Sequence, residues 1–277
     1  MDLNTVEAVH FPRRREEVWP LRPGDAIVAG GTWLFSEPRP HITRLIDVTA
    51  LGWQPVTESD NGLELAATCT LAEVAELSTT LAANRPDWVA APLFAQCCTA
   101  LLASAKVWHT ATVGGNICTS LPAGSMISLT SVLDATLQIW RGDGDSYSLP
   151  VGEFVTGAGT NALKTGEILR SIHVPAAALR ARTAYRKLAP SSLGRSGVVV
   201  LGRHDDARDG GNFTVSVTAA TVRPYLLKFP GPPTRQAMDR MLAQIPDSAW
   251  NTDAHGDPDW RAAMTSLLCH EIVDELT

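Results

Sequence analysis

Apolar residues fall in short runs that end at glycine or proline, a pattern typical of strands joined by tight turns. Residues 26–29 form one such run before Gly30 and Gly31, which predicts a strand entering a tight loop. The glycine- and aspartate-rich residues 142–145 predict a hairpin-type turn. The predicted strands are residues 26–29, 44–48, 62–67, 131–140, 147–149, 167–175, 184–188, 197–203 and 213–222.

Helical patterns occur between these strands and at the end of the chain. Thr70 and Glu73 have the spacing of a capping box and predict a helix that begins after Thr70. The apolar-rich residues 90–106 predict a buried helix, and residues 232–277 show helical spacing. Because strands and helices alternate irregularly, an α+β fold is favoured over a doubly wound sheet.

Length and composition narrow the class of protein without identifying a reaction. At roughly 150 residues per domain, 277 residues predict about two domains, and a boundary near residues 175–182 places them at residues 1–176 and 177–277. The 23 Lys+Arg and 29 Asp+Glu give a net charge of −6, so we expect no nucleic-acid partner. No stretch predicts a membrane span.

The cysteines argue against disulfides and metal sites. There are five, an odd number, and none has the spacing of a zinc or iron–sulfur site. Residues 1–15 also lack the apolar segment of a signal peptide. Together these features predict a cytoplasmic protein that holds no metal of its own.

Two short motifs echo each other, and we call residues 28–32 the first glycine motif and residues 112–116 the second. Each has an apolar lead-in, two glycines and a small polar residue. Consecutive glycines let backbone N–H groups converge on an anion, and the final Thr or Asn can add a polar contact. A glycine pair is also common in ordinary turns, so phosphate binding and a plain turn both remain open on this ground.

A longer series of motifs resembles the FAD-binding subunit of molybdenum-containing hydroxylases. That family includes the FAD domain of xanthine dehydrogenase and the medium subunit of carbon monoxide dehydrogenase. The similarity spans nearly the whole chain in order: residues 29–32, 45–47, 111–117, 122–124, 133–135, 153–154, 166–169, 174–175, 185–187 and 260–261. It implies a two-lobed FAD-binding domain, with lobes at about residues 1–55 and 56–176, followed by a small α+β domain with an antiparallel sheet.

The resemblance also implies the residues that bind FAD. Two segments would hold the pyrophosphate, Ser125 stands at a polar flavin contact, and Ile168 and Lys187 would lie beside the flavin or its ribityl–adenine arm. The implied FAD-binding residues are Ile27, Val28, Ala29, Gly30, Gly31, Thr32, Trp33, Leu34, Thr112, Val113, Gly114, Gly115, Asn116, Ser125, Ile168 and Lys187. No catalytic side chain is implied, because the flavin itself performs the redox step.

The chemistry implied by the resemblance is electron relay. A molybdopterin-binding large subunit would oxidise a heteroaromatic, purine or aldehyde substrate, and two [2Fe–2S] clusters in a small subunit would pass the electrons on. FAD would then deliver them to NAD, oxygen or another acceptor. The lack of cluster-type cysteines in this chain fits such a division of labour.

The chain departs from the family pattern at several positions. Ser125 replaces a frequent Asp, Trp108 and His109 replace an Arg-Asn pair, and Trp33 is bulkier than the expected Asp. Ser191 and Arg195 stand where the family has Arg and Asp. Both glycine motifs are intact, so the differences concern the surroundings of the isoalloxazine ring.

Other candidate features have simpler interpretations. Residues 157–162 match the Rossmann pattern Gly-x-Gly-x-x-Ala, but the pattern breaks at Gly166, which favours a turn between strands. His109 and His173 could be acid–base groups, although packed or surface histidines are the simpler interpretation. Cys97 and Cys98 fit core packing, and Asp134 could orient a flavin-side loop or cap an element.

Three hypotheses for function follow. The first is the FAD-bearing electron-transfer subunit of a molybdenum hydroxylase. The second is a flavin-free scaffold or assembly subunit of such a complex, with Ser125, Ser191 and Arg195 marking a degenerate site. The third, a stand-alone NAD dehydrogenase, is disfavoured by the failed Rossmann pattern.

Overall fold

Three main sheets and nine helices make up the computed structural model, which describes residues 4–101, 103–191 and 194–277. The strands are β1 (Ala8–His10), β2 (Asp25–Val28), β3 (Arg44–Asp47), β4 (Val56–Ser59), β5 (Gly62–Ala66), β6 (Thr136–Trp140), β7 (Ser146–Pro150), β8 (Val155–Gly157), β9 (Thr160–Asn161), β10 (Ile168–Pro175), β11 (Arg182–Leu188), β12 (Val198–His204), β13 (Phe213–Thr218) and β14 (Tyr225–Phe229). The helices are α1 (Leu71–Asn84), α2 (Pro92–Ala100), α3 (Ala105–Trp108), α4 (Val113–Thr119), α5 (Ser125–Val132), α6 (Val151–Phe154), α7 (Ala176–Arg180), α8 (Arg235–Leu242) and α9 (Pro258–Leu276).

The N-terminal lobe is a small parallel sheet with strand order β1-β3-β2. Alternation along the strands places Ile27 and Ile46 on one face, where they pack with Val18 and with Ile168 of β10. The other face carries Val28 of a second apolar cluster. Ile168 therefore joins this lobe to the next sheet.

The middle lobe is an antiparallel sheet with strand order β4-β5-β10-β6-β7, covered on one face by helices. Its inner face supplies Leu65, Leu137 and Ile172, all fully buried against helical residues such as Phe94. Helix α1 begins as the capping box predicts, because the Thr70 amide donates to Glu73 Oε2 at 2.7 Å and the Glu73 amide donates to Thr70 Oγ1 at 3.3 Å.

The C-terminal unit is a four-stranded antiparallel sheet, β11 to β14 in chain order, with α9 on one face. Gly202 allows the close approach of α9, because a Cβ there would lie 2.2 Å from Ile272 Cγ2. Arg261 of α9 is 1% exposed and donates to the carbonyls of Gly197 and Ala219. The opposite face of this sheet packs on α5 of the middle lobe.

Most predicted elements are present, but two predictions are wrong. The helix expected over residues 90–106 is two helices, since Ser104 is extended (φ −70°, ψ 159°) and begins α3; Leu102 lies outside the described residues. The strand expected from residue 131 begins only at Thr136. Residues 131 and 132 are the end of α5, and Asp134 takes a left-handed conformation (φ 53°) that separates this helix from the strand.

Two smaller differences concern the C-terminal sheet. β13 ends at Thr218 rather than at residue 222, because Ala219 takes a left-handed conformation (φ 62°). β14 was not expected from the pattern, and it completes the sheet beside β13.

Candidate functional site

The loop that follows β2 contains a row of unpaired backbone donors. The Phe35 amide donates to the Gly31 carbonyl at 2.8 Å, which closes a single helical turn. Among the described residues, no acceptor pairs with the backbone N–H groups of residues 30–34. These are the amides that the first turn of a helix leaves free, and they favour an anion.

The first glycine motif needs both of its glycines. Gly31 has φ +67°, and a Cβ there would lie 2.5 Å from the Phe35 ring. At Gly30 a Cβ would lie 1.8 Å from the Thr110 carbonyl oxygen and 3.1 Å from Ala111 Cα. The missing side chain at Gly30 therefore lets the N-terminal lobe touch the segment that leads into the second glycine motif.

The second glycine motif has a different local structure. Thr112 is the N-cap of α4, and its Oγ1 accepts the Gly115 amide at 3.1 Å. The Val113 amide donates to the Cys69 carbonyl at 2.8 Å, and the Gly114 amide donates to the Ala67 carbonyl at 2.9 Å. The amides of residues 113–116 are thus occupied within the chain, unlike those of residues 30–34.

The two glycines of the second motif also differ in their surroundings. A Cβ at Gly114 would lie 2.5 Å from Ala67 Cβ, so this glycine serves the packing of α4 on β5. A Cβ at Gly115 would meet only Thr112 Oγ1, at 3.0 Å. Gly115 is the glycine that leaves the start of α4 open to a ligand.

Asn116 connects the second motif to the start of α5. Its Oδ1 accepts the Met126 amide at 3.0 Å. Beside Met126 lies Ser125, which is completely buried and whose Oγ has no hydrogen-bond partner among the described residues. A buried hydroxyl without a partner is costly, and Ser125 is therefore a candidate ligand-binding group.

The remaining predicted residues take different positions. Ile168 is 4% exposed and packs against the N-terminal lobe beside Ile27. Lys187 lies on β11, two residues from Tyr185, so both side chains are on the sheet face that packs against the middle lobe. Lys187 is half-buried, and its ammonium group has no hydrogen bond or ion pair with the described residues.

One contributor to the site could not be recognised in the sequence, whereas the resemblance had implied the other. Thr110 acts only through its backbone carbonyl against Gly30, and no side-chain pattern marks such a contact. Trp33, which the resemblance placed in the site, is 46% exposed beside the free amides. Its backbone amide is one of these free donors.

The simpler interpretations account for the other candidates. Residues 157–162 form the β8–β9 hairpin rather than the start of a helix, so the Rossmann pattern has no dinucleotide geometry. His109 is exposed at the end of α3. Asp134 forms ion pairs with Arg203 at 3.1 Å and with Lys228 at 2.9 Å. Neither of these partners belongs to a glycine motif.

The cysteines offer no reactive thiol near the site. All five are free, and Cys118 of α4 is the one that follows the second glycine motif. Burial raises the pKa of the Cys118 thiol to about 12, so it is protonated at neutral pH. Within residues 4–101, 103–191 and 194–277, no group of three His, Cys, Asp or Glu residues could hold a metal ion.

Comparisons with known proteins place this geometry in context. A family model described as the FAD binding domain in molybdopterin dehydrogenase matches residues 7–177. No curated protein sequence matches the chain. No helix among the described residues is both long and apolar enough to cross a membrane.

Several solved structures share the fold at low sequence identity. Quinoline 2-oxidoreductase from Pseudomonas putida 86 is 18% identical with a TM-score of 0.76, over 98% of this chain and 96% of that chain. Carbon monoxide dehydrogenase from Hydrogenophaga pseudoflava, in a form lacking the Mo-pyranopterin moiety, is 18% identical with a TM-score of 0.78, over 98% and 97%. Reconstituted CO dehydrogenase from Oligotropha carboxidovorans is 18% identical with a TM-score of 0.74, over 91% and 90%.

Proposed function

The chain belongs to the family of FAD-binding domains in molybdopterin dehydrogenases, and from this membership we propose that it is the FAD-bearing electron-transfer subunit of a multi-subunit molybdenum hydroxylase. FAD is its cofactor and oxidoreduction its class of reaction. The observation that carries the proposal is the row of free amides at residues 30–34, with Gly31 in the left-handed region.

In this proposal the two glycine motifs form opposite walls of the FAD site. The free amides of residues 30–34 bind the pyrophosphate, as expected of an anion at unpaired N–H groups. Gly115 and the Asn116 side chain form the other wall, with Thr112 fixing the start of α4. The contact of Gly30 with Thr110 keeps these walls together.

The residues farther along the chain would surround the flavin. Ser125 offers a buried hydroxyl that has no partner among the described residues, and Lys187 offers a half-buried cation. Ile168 would supply an apolar contact where the two lobes meet. When bound, FAD supplies the redox chemistry, and these residues orient it and set its polarity.

The electron route extends beyond this chain. We propose that [2Fe–2S] clusters of a small subunit donate the electrons, and that NAD, oxygen or another acceptor removes them. A molybdopterin-binding large subunit would oxidise the substrate, a heteroaromatic compound, a purine or an aldehyde. The related structures include a quinoline oxidoreductase and CO dehydrogenases, which supports this class of assembly.

The division into domains and the location in the cell are also proposals. We assign residues 1–176 to the FAD-binding domain and residues 177–277 to a C-terminal domain. The apolar cluster between the C-terminal sheet and α9 consists only of residues from this second domain, which supports the division. Five free cysteines, most of them buried, support a reducing compartment such as the cytoplasm.

The experiment that tests the proposal is FAD content. The purified chain should show a flavin absorption spectrum, and denaturation should release FAD at about one per chain. A chain purified without flavin should take up added FAD and quench its fluorescence. A colourless protein that fails to bind added FAD would refute the proposal and leave the flavin-free scaffold as the better hypothesis.

A further inference from the structure

A row of hydroxyl groups follows the contact between α5 and the C-terminal sheet. All eight residues of α5 are buried. Ser128 Oγ lies 2.6 Å from Thr218 Oγ1 of β13. Serines three residues apart share one side of a helix, and alternate residues share one face of a strand. The hydroxyl seam, as we name it, consists of Ser125, Ser128, Ser131, Thr214, Ser216 and Thr218.

Three contacts fix the direction of the seam. Before α5 begins, the Pro122 carbonyl accepts the Ala219 amide at 2.7 Å. At the end of α5, the Val132 carbonyl accepts Arg203 Nη1 at 2.8 Å, and Arg203 is the strand partner of Thr214. Helix α5 therefore runs antiparallel to β13, from the candidate FAD site towards Thr214.

Three members of the seam lack hydrogen-bond partners in the part of the chain that the structure describes. Ser125 and Ser216 are completely buried and Ser131 is 2% exposed. None of their Oγ atoms has a partner among the described residues. Buried hydroxyl groups are normally satisfied, and ordered water is the usual partner where protein supplies none.

The far end of the seam opens into a cleft of about 560 Å³. Thr214 lines it together with Arg203, Asp205, Asp134 and Lys228. Burial acts to raise the pKa of Asp134, but hydrogen bonds and charge from Lys228 and Arg203 outweigh burial and lower it. Asp134 is therefore ionised at neutral pH in a cleft large enough for many water molecules.

We propose that the hydroxyl seam, completed by ordered water, carries protons between this cleft and Ser125 at the FAD site. The proposal rests on the proposed function. Two-electron reduction of a flavin takes up two electrons and at least one proton, which bonds to a ring nitrogen. Iron–sulfur clusters deliver electrons without protons, so the proton must come from solvent. The seam gives it a path that ends at a buried hydroxyl beside Asn116.

The test measures proton uptake directly in the full chain loaded with FAD. A flash-excited 5-deazaflavin with EDTA as electron donor reduces the flavin, and a pH-indicator dye in weak buffer follows the proton. Ser216→Ala and Ser131→Ala interrupt the seam. Thr130→Val is the matched control, because it removes a buried hydroxyl of the same helix that bonds only to carbonyls of that helix.

We expect proton uptake to slow by about tenfold or more in Ser216→Ala and Ser131→Ala. The solvent isotope effect on this step should change in both variants, and Thr130→Val should match the parent. If both variants bind FAD normally and take up the proton as fast as the parent, the proposed proton path is refuted but the proposed function is not. Failure of the parent to bind FAD would refute the proposed function as well.

Thermal unfolding of the flavin-free chain gives a second readout. If water bonds to Ser216, Ser216→Ala removes a satisfied hydroxyl and lowers Tm by about 2–4 °C. If the hydroxyl is dry, the same substitution removes an unsatisfied group and raises Tm. A raised Tm, or a crystal structure of the FAD-bound chain with no water bonded to the three serines, would overturn the proposal.

Discussion

Gly30→Ala is the substitution that most directly tests how the site is assembled. A Cβ at Gly30 would lie 1.8 Å from the Thr110 carbonyl oxygen and 2.7 Å from its carbonyl carbon. Both atoms belong to the backbone, so no side-chain rotation can relieve the overlap. The first glycine motif and the segment before α4 must move apart.

The size of the effect follows from this distance. An ordinary carbon–oxygen contact is about 3.3 Å, so the backbones must separate by about 1.5 Å. A hydrogen bond of about 2.9 Å stretched by that amount is lost. Loss of two bonds from the free amides to the FAD pyrophosphate, about 3 kcal/mol together, would weaken FAD binding by roughly 100-fold.

The assay is FAD titration, followed by quenching of flavin fluorescence, with far-UV circular dichroism to confirm folding. Gly152→Ala is the matched control, because a Cβ there would lie 3.5 Å from Leu226 Cδ1, an ordinary contact. We expect the control to bind FAD like the parent. If Gly30→Ala is folded and binds FAD as tightly as the parent, then the contact with Thr110 does not hold the two walls together.

Three further predictions concern stability. Arg261→Ala should lower the free energy of unfolding by about 3–5 kcal/mol in chemical denaturation, because Arg261 donates to three carbonyls and to Asp253; Arg208→Ala, at an exposed site, should change little. Burial acts to raise the pKa of Asp253, but the His255 amide and Arg261 outweigh it and lower the pKa, so the ionised carboxylate stabilises the fold above about pH 4. That contribution is lost as pH falls, and Tm of Asp253→Asn should depend less on pH between about pH 5 and 3 than Tm of the parent. Thr70→Ala should cost about 1 kcal/mol in the same denaturation assay, with no loss of FAD binding, because it removes the capping box of α1.

The sequence predicted elements best where a local rule governs them. The strand before Gly30 and the capping box at Thr70 were confirmed because a glycine pair and a Thr-x-x-Glu spacing act over a few residues. Helix α5 was missed because no helix was predicted over residues 125–132, and its last two residues were included in the strand expected from residue 131. In the structure its hydroxyls bond to helix carbonyls or face β13, and only tertiary contacts could have indicated that arrangement.

The candidate site was predictable as two segments but not as an arrangement. The order of motifs implied that residues 27–34 and 112–116 lie together, and the contact of Gly30 with Thr110 supplies the geometry. That contact joins a glycine to the backbone carbonyl of residue 110. Because any residue type has such a carbonyl, the sequence at position 110 does not indicate the contact. The sequence also could not indicate that the Ser125 hydroxyl is buried without a partner among the described residues. The burial of Ser125 depends on β12 and β13, which lie about 75 residues or more away in the chain.

The two glycine motifs show why similar sequences need not do the same chemistry. Both have paired glycines. The amides of residues 30–34 have no acceptor among the described residues, whereas amides of the second motif donate to Ala67, Cys69 and Thr112. The difference arises from what precedes each pair: a strand that ends in an open turn, or a threonine that caps a helix packed on β5. Among the described residues, the first motif therefore offers a charged ligand a row of free amides, whereas the amides of residues 113–116 are already paired. On the second wall the ligand must rely on the open surface at Gly115 and on side chains, so substitutions at the two motifs should affect FAD binding unequally.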